Sequence, residues 1–493
     1  MTLAEERLKE LDNPSLTPDE RAMLRSEVAA DLIHKGQYEA AREALGELWR
    51  GVGERPNLEG LGDRTAAEVL LQAGVLSGWL GANKSVEGAQ DASKDLISES
   101  AALFEKLGES NRAATACAEL ALCYWRAGAY SEARVMLGEA AALIKGDASL
   151  KAKTVLRFAV VETSAGRYSD AFHLLRDSAA LFDEGVSHTL RGSFHNELAL
   201  VLRRLGASER RPDYYDRAII EYTAAVYHAE QAQHESYLAR IENNLAFLLY
   251  KLGRYADAHE HLDRAQMIFT RLRDAGSLAQ VDETRARVLV AEGKYKDADR
   301  TLAGVLKTLE QGDESPLLAD ALTVQGVVWA RLRAYESSVN ILRRAAGLAE
   351  GAGAHASAGQ AILSLIEEHG AMWRMQPDEV YEAYVRADRL LRDTQEAEDV
   401  ARLRACARVV MKRLTTVQFR DKNFTLPGAV HQFEAKLIER ALDEAGGSLT
   451  KAARLLGISH QTLYSILDKR HKPLAGKRKP PQRRLKSIIK KDA

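Results

Sequence analysis

The sequence predicts an all-α protein: a superhelix of stacked helical hairpins followed by a small helix-turn-helix domain. Three observations carry that reading. A short turn ending in tyrosine recurs along most of the chain, apolar residues at helical spacing flank each turn, and two short helical patterns meet at "LGIS" near the C-terminal end.

At 493 residues the chain exceeds one compact core, which usually takes roughly 100 to 200 residues. It must divide or grow by repetition. The turns show repetition: "LGRYADA" (252–258), "EGKYKDA" (292–298) and "LRAYESS" (332–338) place Tyr255, Tyr295 and Tyr335 at steps of 40 residues. "KGQYEAA" (35–41), "AGAYSEA" (127–133) and "AGRYSDA" (165–171) have the same form. In one copy, Leu245, Leu248, Leu249 and Leu252 fit a first helix, Gly253 stops it, and Tyr255 is expected to pack across the turn. Ala258, Leu262, Ala265 and Phe269 fit a second helix whose alanines let neighbours approach closely. One hairpin cannot bury both faces, so hairpins must stack and leave a groove on one side. The stretches 76–90 and 204–218 look irregular, with insertions at the turn.

The Gly and Tyr of the turn and the small residues of the second helix resemble the tetratricopeptide repeat. The resemblance runs over roughly residues 20–350 with a degenerate continuation to 412, and departs from the family in a period near 40 rather than 34. Longer helices or longer loops are implied.

After the repeats, "AVHQFEAKLIERALDEA" (429–445) reads as an amphipathic helix through Phe433, Leu437, Ile438, Ala441 and Leu442, ended by Gly446 and Gly447. Ala452, Ala453, Leu455 and Leu456 then lead to Gly457, Ile458 is expected to fill the corner, and Ser459 to cap a last helix held by Leu463 and Leu467. That is helix-turn-helix patterning, whose second helix offers its N-terminal residues to major-groove base edges. The stretch resembles the Fis-type helix-turn-helix over about residues 430–472. The resemblance implies DNA as the partner, bound as a homodimer, with groove reading by Ser459, His460, Gln461, Thr462, Tyr464 and Ser465. It assigns phosphate contacts to Lys469, Arg470 and Lys472. Family members tend to be basic after the "TL" motif, whereas this chain continues Tyr464, Ser465, Ile466 and Asp468 and defers its positive charge to the tail.

Charge agrees with a polyanion at that end. Residues 434–493 hold 15 Lys and Arg against 6 Asp and Glu, a net +9 in a chain whose total is -1. Domain bounds follow: an N-terminal segment 1–19, repeats 20–412, a linker 413–428, the helix-turn-helix 429–472 and a basic, disordered tail 473–493.

No signal-peptide pattern or membrane-length apolar run is present, so the expected location is cytoplasmic, without a membrane partner. Cys117, Cys123 and Cys406 fall within helical patterns and read as core residues. No phosphate-binding loop, dinucleotide fingerprint or His-Glu-x-x-His is found, so no metal, no cofactor and no enzymatic activity are expected.

The expected function is a one-component transcriptional regulator whose repeats bind a peptide, small-molecule or protein effector. Nine residues before the glycines, Glu119, Arg157, Glu197 and Asn244 are candidate effector-binding residues. The alternative is an assembly scaffold whose basic end holds nucleic acid nonspecifically or an acidic partner.

Overall fold

The computed structural model describes residues 15–34, 37–83, 88–183, 185–311, 315–372, 374–415 and 425–477. Among them every regular element is helical and no strand occurs. The chain divides into two compact units, Met1–Leu414 and Thr415–Ala493.

The first unit is a succession of antiparallel hairpins: α1 (Pro18–His34) with α2 (Tyr38–Leu45), α3 (Asp63–Asn83) with α4 (Ala89–Lys106), and α5 (Ser110–Arg126) with α6 (Tyr130–Leu143). They continue with α7 (Ala148–Ser164) and α8 (Tyr168–Asp177), α9 (His188–Glu209) and α10 (Pro212–Gln231), and α11 (Glu235–Lys251) and α12 (Tyr255–Leu272). Then follow α13 (Ala275–Ala291) with α14 (Tyr295–Leu309), and α15 (Ser315–Arg331) with α16 (Tyr335–Gly351). α17 (His355–Leu365) runs into a wider turn at Ile366–Gly370, and α18 (Pro377–Leu390) and α19 (Ala397–Thr415) end the unit.

The recurrent turn has one physical form. At the end of α11, Gly253 takes φ +75°, its N–H donates to Tyr250 O at 3.0 Å, and the Arg254 N–H reaches back to Leu249 O at 2.9 Å. A left-handed residue of this kind satisfies the last carbonyls of a helix. In the "LRAY" copy, Arg333 adopts the same conformation, with φ +68°. All six turn tyrosines are the first residues of helices, and Tyr255 packs half-buried against the core as expected.

Long helices rather than long loops account for the period. α13 has 17 residues and α14 has 15, joined by only three. At 204–218 the irregularity is also helical: α9 runs on to Glu209, and Gly206, expected at the turn, lies within it against the Tyr215 ring. Arg210, at φ +56°, makes the turn instead, and Pro212 opens α10. The first helices of successive hairpins also pack on one another, α9 on α7 and α11 on α13, and so form an inner layer.

Ala258, Leu262, Ala265 and Phe269 are buried, as are Leu245, Leu248 and Leu249. Leu252 is not, because it lies past the last turn of α11, where its side chain is 37% exposed. All three cysteines are buried. Buried carboxylates on first helices pair with cations of the same helix, of their own hairpin or of the preceding one. Glu162 pairs with Arg134 and Arg167, Glu242 with His261 and Arg264, and Glu283 with Arg287.

The second unit contains α20 (Leu426–Glu444), α21 (Leu449–Leu455) and α22 (His460–Lys469), then a helical turn at Lys472–Lys477. Seven buried residues make its core: Ile438, Ala441 and Leu442 from α20, Ala452 and Ala453 from α21, and Leu463 and Leu467 from α22. Helical structure therefore extends beyond residue 472: Leu474 packs on this core and Lys477 pairs with Glu439 and Asp443. The rest of the expected tail, 478–493, lies outside the described residues, as do residues 416–424 of the linker.

Candidate functional site

In the C-terminal unit, Gly457 at φ +67° lets the chain reverse, and the Ile458 N–H returns to Ala453 O at 3.0 Å. Ile458 then packs against the core, as expected from sequence. Ser459 Oγ accepts from the Thr462 N–H at 3.0 Å, so α22 begins with a side-chain cap. Leu463 and Leu467 hold α22 down on α20 and α21. That leaves His460, Gln461, Thr462 and Tyr464 on an exposed face and Ser465 half-buried.

Of the expected groove readers, His460, Gln461 and Tyr464 are the best presented. Ser459 and Thr462 face one another, with their hydroxyls 2.8 Å apart. Lys469, Arg470 and Lys472 are exposed at the far end of α22. Arg470 is drawn toward Glu434 of α20 at 3.3 Å, whereas Lys469 and Lys472 make no ion pair among the described residues. Two sequence expectations are corrected here. Leu455, one of the apolar residues expected of the short helix, is 58% exposed, and Phe433 and Leu437, expected on the apolar face of their helix, lie outside the core at 65% and 45%. With Leu426 and Val430 they form an exposed apolar stripe along α20, flanking the buried stripe of Ile438, Ala441 and Leu442. Helical spacing marked both stripes as apolar; only packing separates them.

A polar group next to α22 was missed by the sequence. His471 is buried, its Nε2–H donates to Glu434 at 3.0 Å, and its ring stacks on His431 at 4.2 Å. The ligand-type atoms of His431, Glu434 and His471 all lie within 4.8 Å of one another. The His471 bond, with the Arg470 and His471 charges, holds the Glu434 carboxyl below its ordinary range. The group clamps the end of α22 to α20.

In the array, Glu119 and Arg157 pair with each other across α5 and α7. Glu197 is buried and accepts from the Thr163 hydroxyl at 2.8 Å; burial pushes its carboxyl up, against that hydrogen bond. Asn244 donates to Asn196 at 3.2 Å. All four residues therefore lie in the inner layer and are matched to partners there. A second set, absent from the sequence reading, is more basic: Arg203 and Arg204 on α9 and Lys251 at the end of α11, interleaved with the rings of Phe247 and Tyr250.

Residues 429–469 match the family described as "Bacterial regulatory protein, Fis family". Among solved structures, the chain is similar to a Rap protein complexed with competence and sporulation factor, at 14% identity and a TM-score of 0.49, over 80% of this chain and 100% of that one. It is also similar to the apo form of the quorum sensor NprR from B. thuringiensis, at 16% and 0.49, over 70% and 92%. A third likeness is to yeast Tom70, at 12% and 0.45, over 84% and 85%. No curated protein matches the sequence. The hairpins and the family match together define the class: a tetratricopeptide-like repeat protein that ends in a Fis-type, DNA-binding helix-turn-helix. No helix among the described residues is long and apolar enough to cross a membrane.

Proposed function

We propose that this protein is a cytoplasmic, non-enzymatic transcriptional regulator that binds DNA through α22 and an effector peptide through the inner layer of its repeats. The observation that carries the DNA half is the presentation of His460, Gln461 and Tyr464 at the start of a capped helix, within a module of the Fis family. Gln461 can donate and accept in one plane, which suits adenine; His460 offers a ring nitrogen to guanine; Tyr464, one turn on, reaches a thymine methyl or a phosphate. Lys469 and Lys472 supply charge toward phosphates without reading sequence.

The protein acts on DNA as a homodimer. The exposed stripe Leu426, Val430, Phe433 and Leu437 is apolar enough to seat a second copy of α20, and two recognition helices related by a two-fold axis match an inverted repeat. The test is sequencing of genomic DNA retained by the purified full chain. A short recurrent sequence with two-fold symmetry is expected, and uniform retention overturns the reading. On the recovered site, Gln461→Ala should lose about 1 to 3 kcal/mol with little change on scrambled DNA, whereas Lys469→Ala should weaken both alike.

A further inference from the structure

The body of α19 is held by its neighbour in the stack: Arg402 pairs with Glu367 at 2.8 Å, and Gln360 donates to Asp399 at 3.2 Å. Its start is held elsewhere. Glu396 accepts from the Tyr168 hydroxyl at 2.7 Å and pairs with Arg204, and Glu398 pairs with Lys251 at 2.7 Å. Gln395 lies so close to the Gly166 turn that a Cβ on Gly166 would stand 2.4 Å from its Cγ. The acidic run Gln395-Glu396-Ala397-Glu398 thus reaches back to α8, α9 and α11, in the middle of the array.

The surface it meets is built for carboxylates. Arg203 lies beneath it, 5.2 Å from the Phe247 ring, with no carboxylate within ion-pair distance among the described residues. Burial lowers its guanidinium from the ordinary value. Lys251 lies over Phe247 and Tyr250, at 5.5 and 5.4 Å. Burial works against the Glu398 charge, but the Lys251 hydrogen bond and charge outweigh it and hold the carboxyl below its ordinary value. Three cations converge here, and the two acidic groups that reach them are both lent by one short segment.

We propose that Arg203, Arg204, Lys251 and Tyr168 form a binding site for an acidic peptide with two carboxylates two residues apart, and that Glu396 and Glu398 are its tethered occupant. The proposal deepens the effector reading above and rests on it. A tethered segment competes at high effective concentration, so an external peptide must displace it, and apparent affinity falls by the fraction of chains in which the site is open. Displacement frees the start of α19, the last helix before the DNA-binding unit, which gives the effector a covalent route to that unit.

The probe is a fluorescent peptide of residues 392–401, RDTQEAEDVA, titrated into the full chain. The double variant Glu396→Gln, Glu398→Gln should bind it at least about tenfold more tightly than the wild type. Adding Arg204→Ala and Lys251→Ala should abolish capture, and a peptide with both glutamates replaced by glutamine should not bind. Lys251→Gln alone, placed in the double variant, should weaken capture several-fold with the circular dichroism unchanged. Equal binding to wild type and double variant, no binding to the double variant, or capture independent of peptide charge each overturns the proposal. Site-specific DNA retention, measured on the wild type, separates the two ideas. If retention is intact and capture absent, only the groove proposal fails; if capture is intact and retention uniform, only the regulator reading fails.

Discussion

In the array, α11 closes on a left-handed Gly253, and α12 opens behind Arg254, whose side chain makes no capping hydrogen bond. In the C-terminal unit, α21 closes the same way on Gly457, but α22 opens behind Ser459, whose hydroxyl does cap it. The shared device ends a helix at the least cost in buried carbonyls. The difference lies in what fixes the next helix. α12 is pressed between α11 and α13, and a single core cluster there gathers thirty buried residues from successive hairpins. α22 has ten residues and a core of seven, so it depends on local interactions.

The largest expected effect tests that contrast. Leu463→Ala and Leu262→Ala each remove a fully buried leucine and should each cost about 2 to 5 kcal/mol. In the small unit that loss is comparable to the stability available to a core of its size. Amide exchange should therefore lose protection throughout 429–469 in Leu463→Ala, and DNA binding with it. In Leu262→Ala the loss should concentrate in α11 to α13 while the rest of the array stays protected. Loss of protection across the whole array would show that it unfolds as one block.

Acid should distinguish the regions next. His369 is buried near the end of the array; Ser338 Oγ donates to Gly326 O at 2.6 Å, so His369 Nε2 donates to Ser338 Oγ at 2.8 Å. Its Nδ1 has no hydrogen-bond partner among the described residues. Burial, with the charge of Arg374, pushes the imidazole down to about 4. The unfolded chain takes up this proton near pH 6.5, so between about pH 6.5 and 4 the unfolded state binds more protons. Array stability should fall as pH falls through that window and be level above it. Chemical denaturation from pH 7 to pH 4.5 checks this, and His369→Gln should flatten the dependence.

Glycines separate the regions at a smaller scale. Gly326 in α15 has an ordinary backbone, but a Cβ there would sit 2.4 Å from Leu342 Cγ; Gly457 has open space around it and a positive φ. Gly326→Ala should cost about 1 to 3 kcal/mol by overpacking, and Gly457→Ala about 1 to 2 kcal/mol by backbone strain. Asparagine tells the causes apart. It tolerates the left-handed region, so Gly457→Asn should recover part of the loss, while Gly326→Asn should be worse than alanine. Thermal unfolding of the four variants decides it.

These glycines also mark what a sequence can disclose. The turn at Gly253 was legible because its cause is local: a helix end needs a left-handed residue, and a tyrosine restarts the chain two residues later. The helix-turn-helix was legible for the same reason, through Gly457, Ser459, Leu463 and Leu467. Periodicity, however, says that a side chain is apolar and not what covers it, so Phe433, Leu437 and Leu455 looked like core. Pairings between distant hairpins were silent. Nothing at Glu396 signals Tyr168, 228 residues away, and the partners of Glu119 and Asn244 emerge only when hairpins stack.

The smallest expected effect bears on the cap itself. Ser459→Ala removes the bond to the Thr462 N–H and should lower the stability of the C-terminal unit by about 1 kcal/mol. The converse substitution, Ala129→Ser before α6, supplies a hydroxyl at a recurrent turn that has none, unlike the start of α9, where Ser187 Oγ accepts from the Leu190 N–H. Ala129 sits at φ -82° and ψ 67°, away from the extended backbone that a side-chain cap uses. With α5 and α7 already fixing the start of α6, the change should stay within about 0.5 kcal/mol. Urea unfolding, followed by exchange at amides of α22 and α6, reads both. A gain near 1 kcal/mol from Ala129→Ser would mean that array helices are limited by their starts after all, and that stacking alone does not set where they begin.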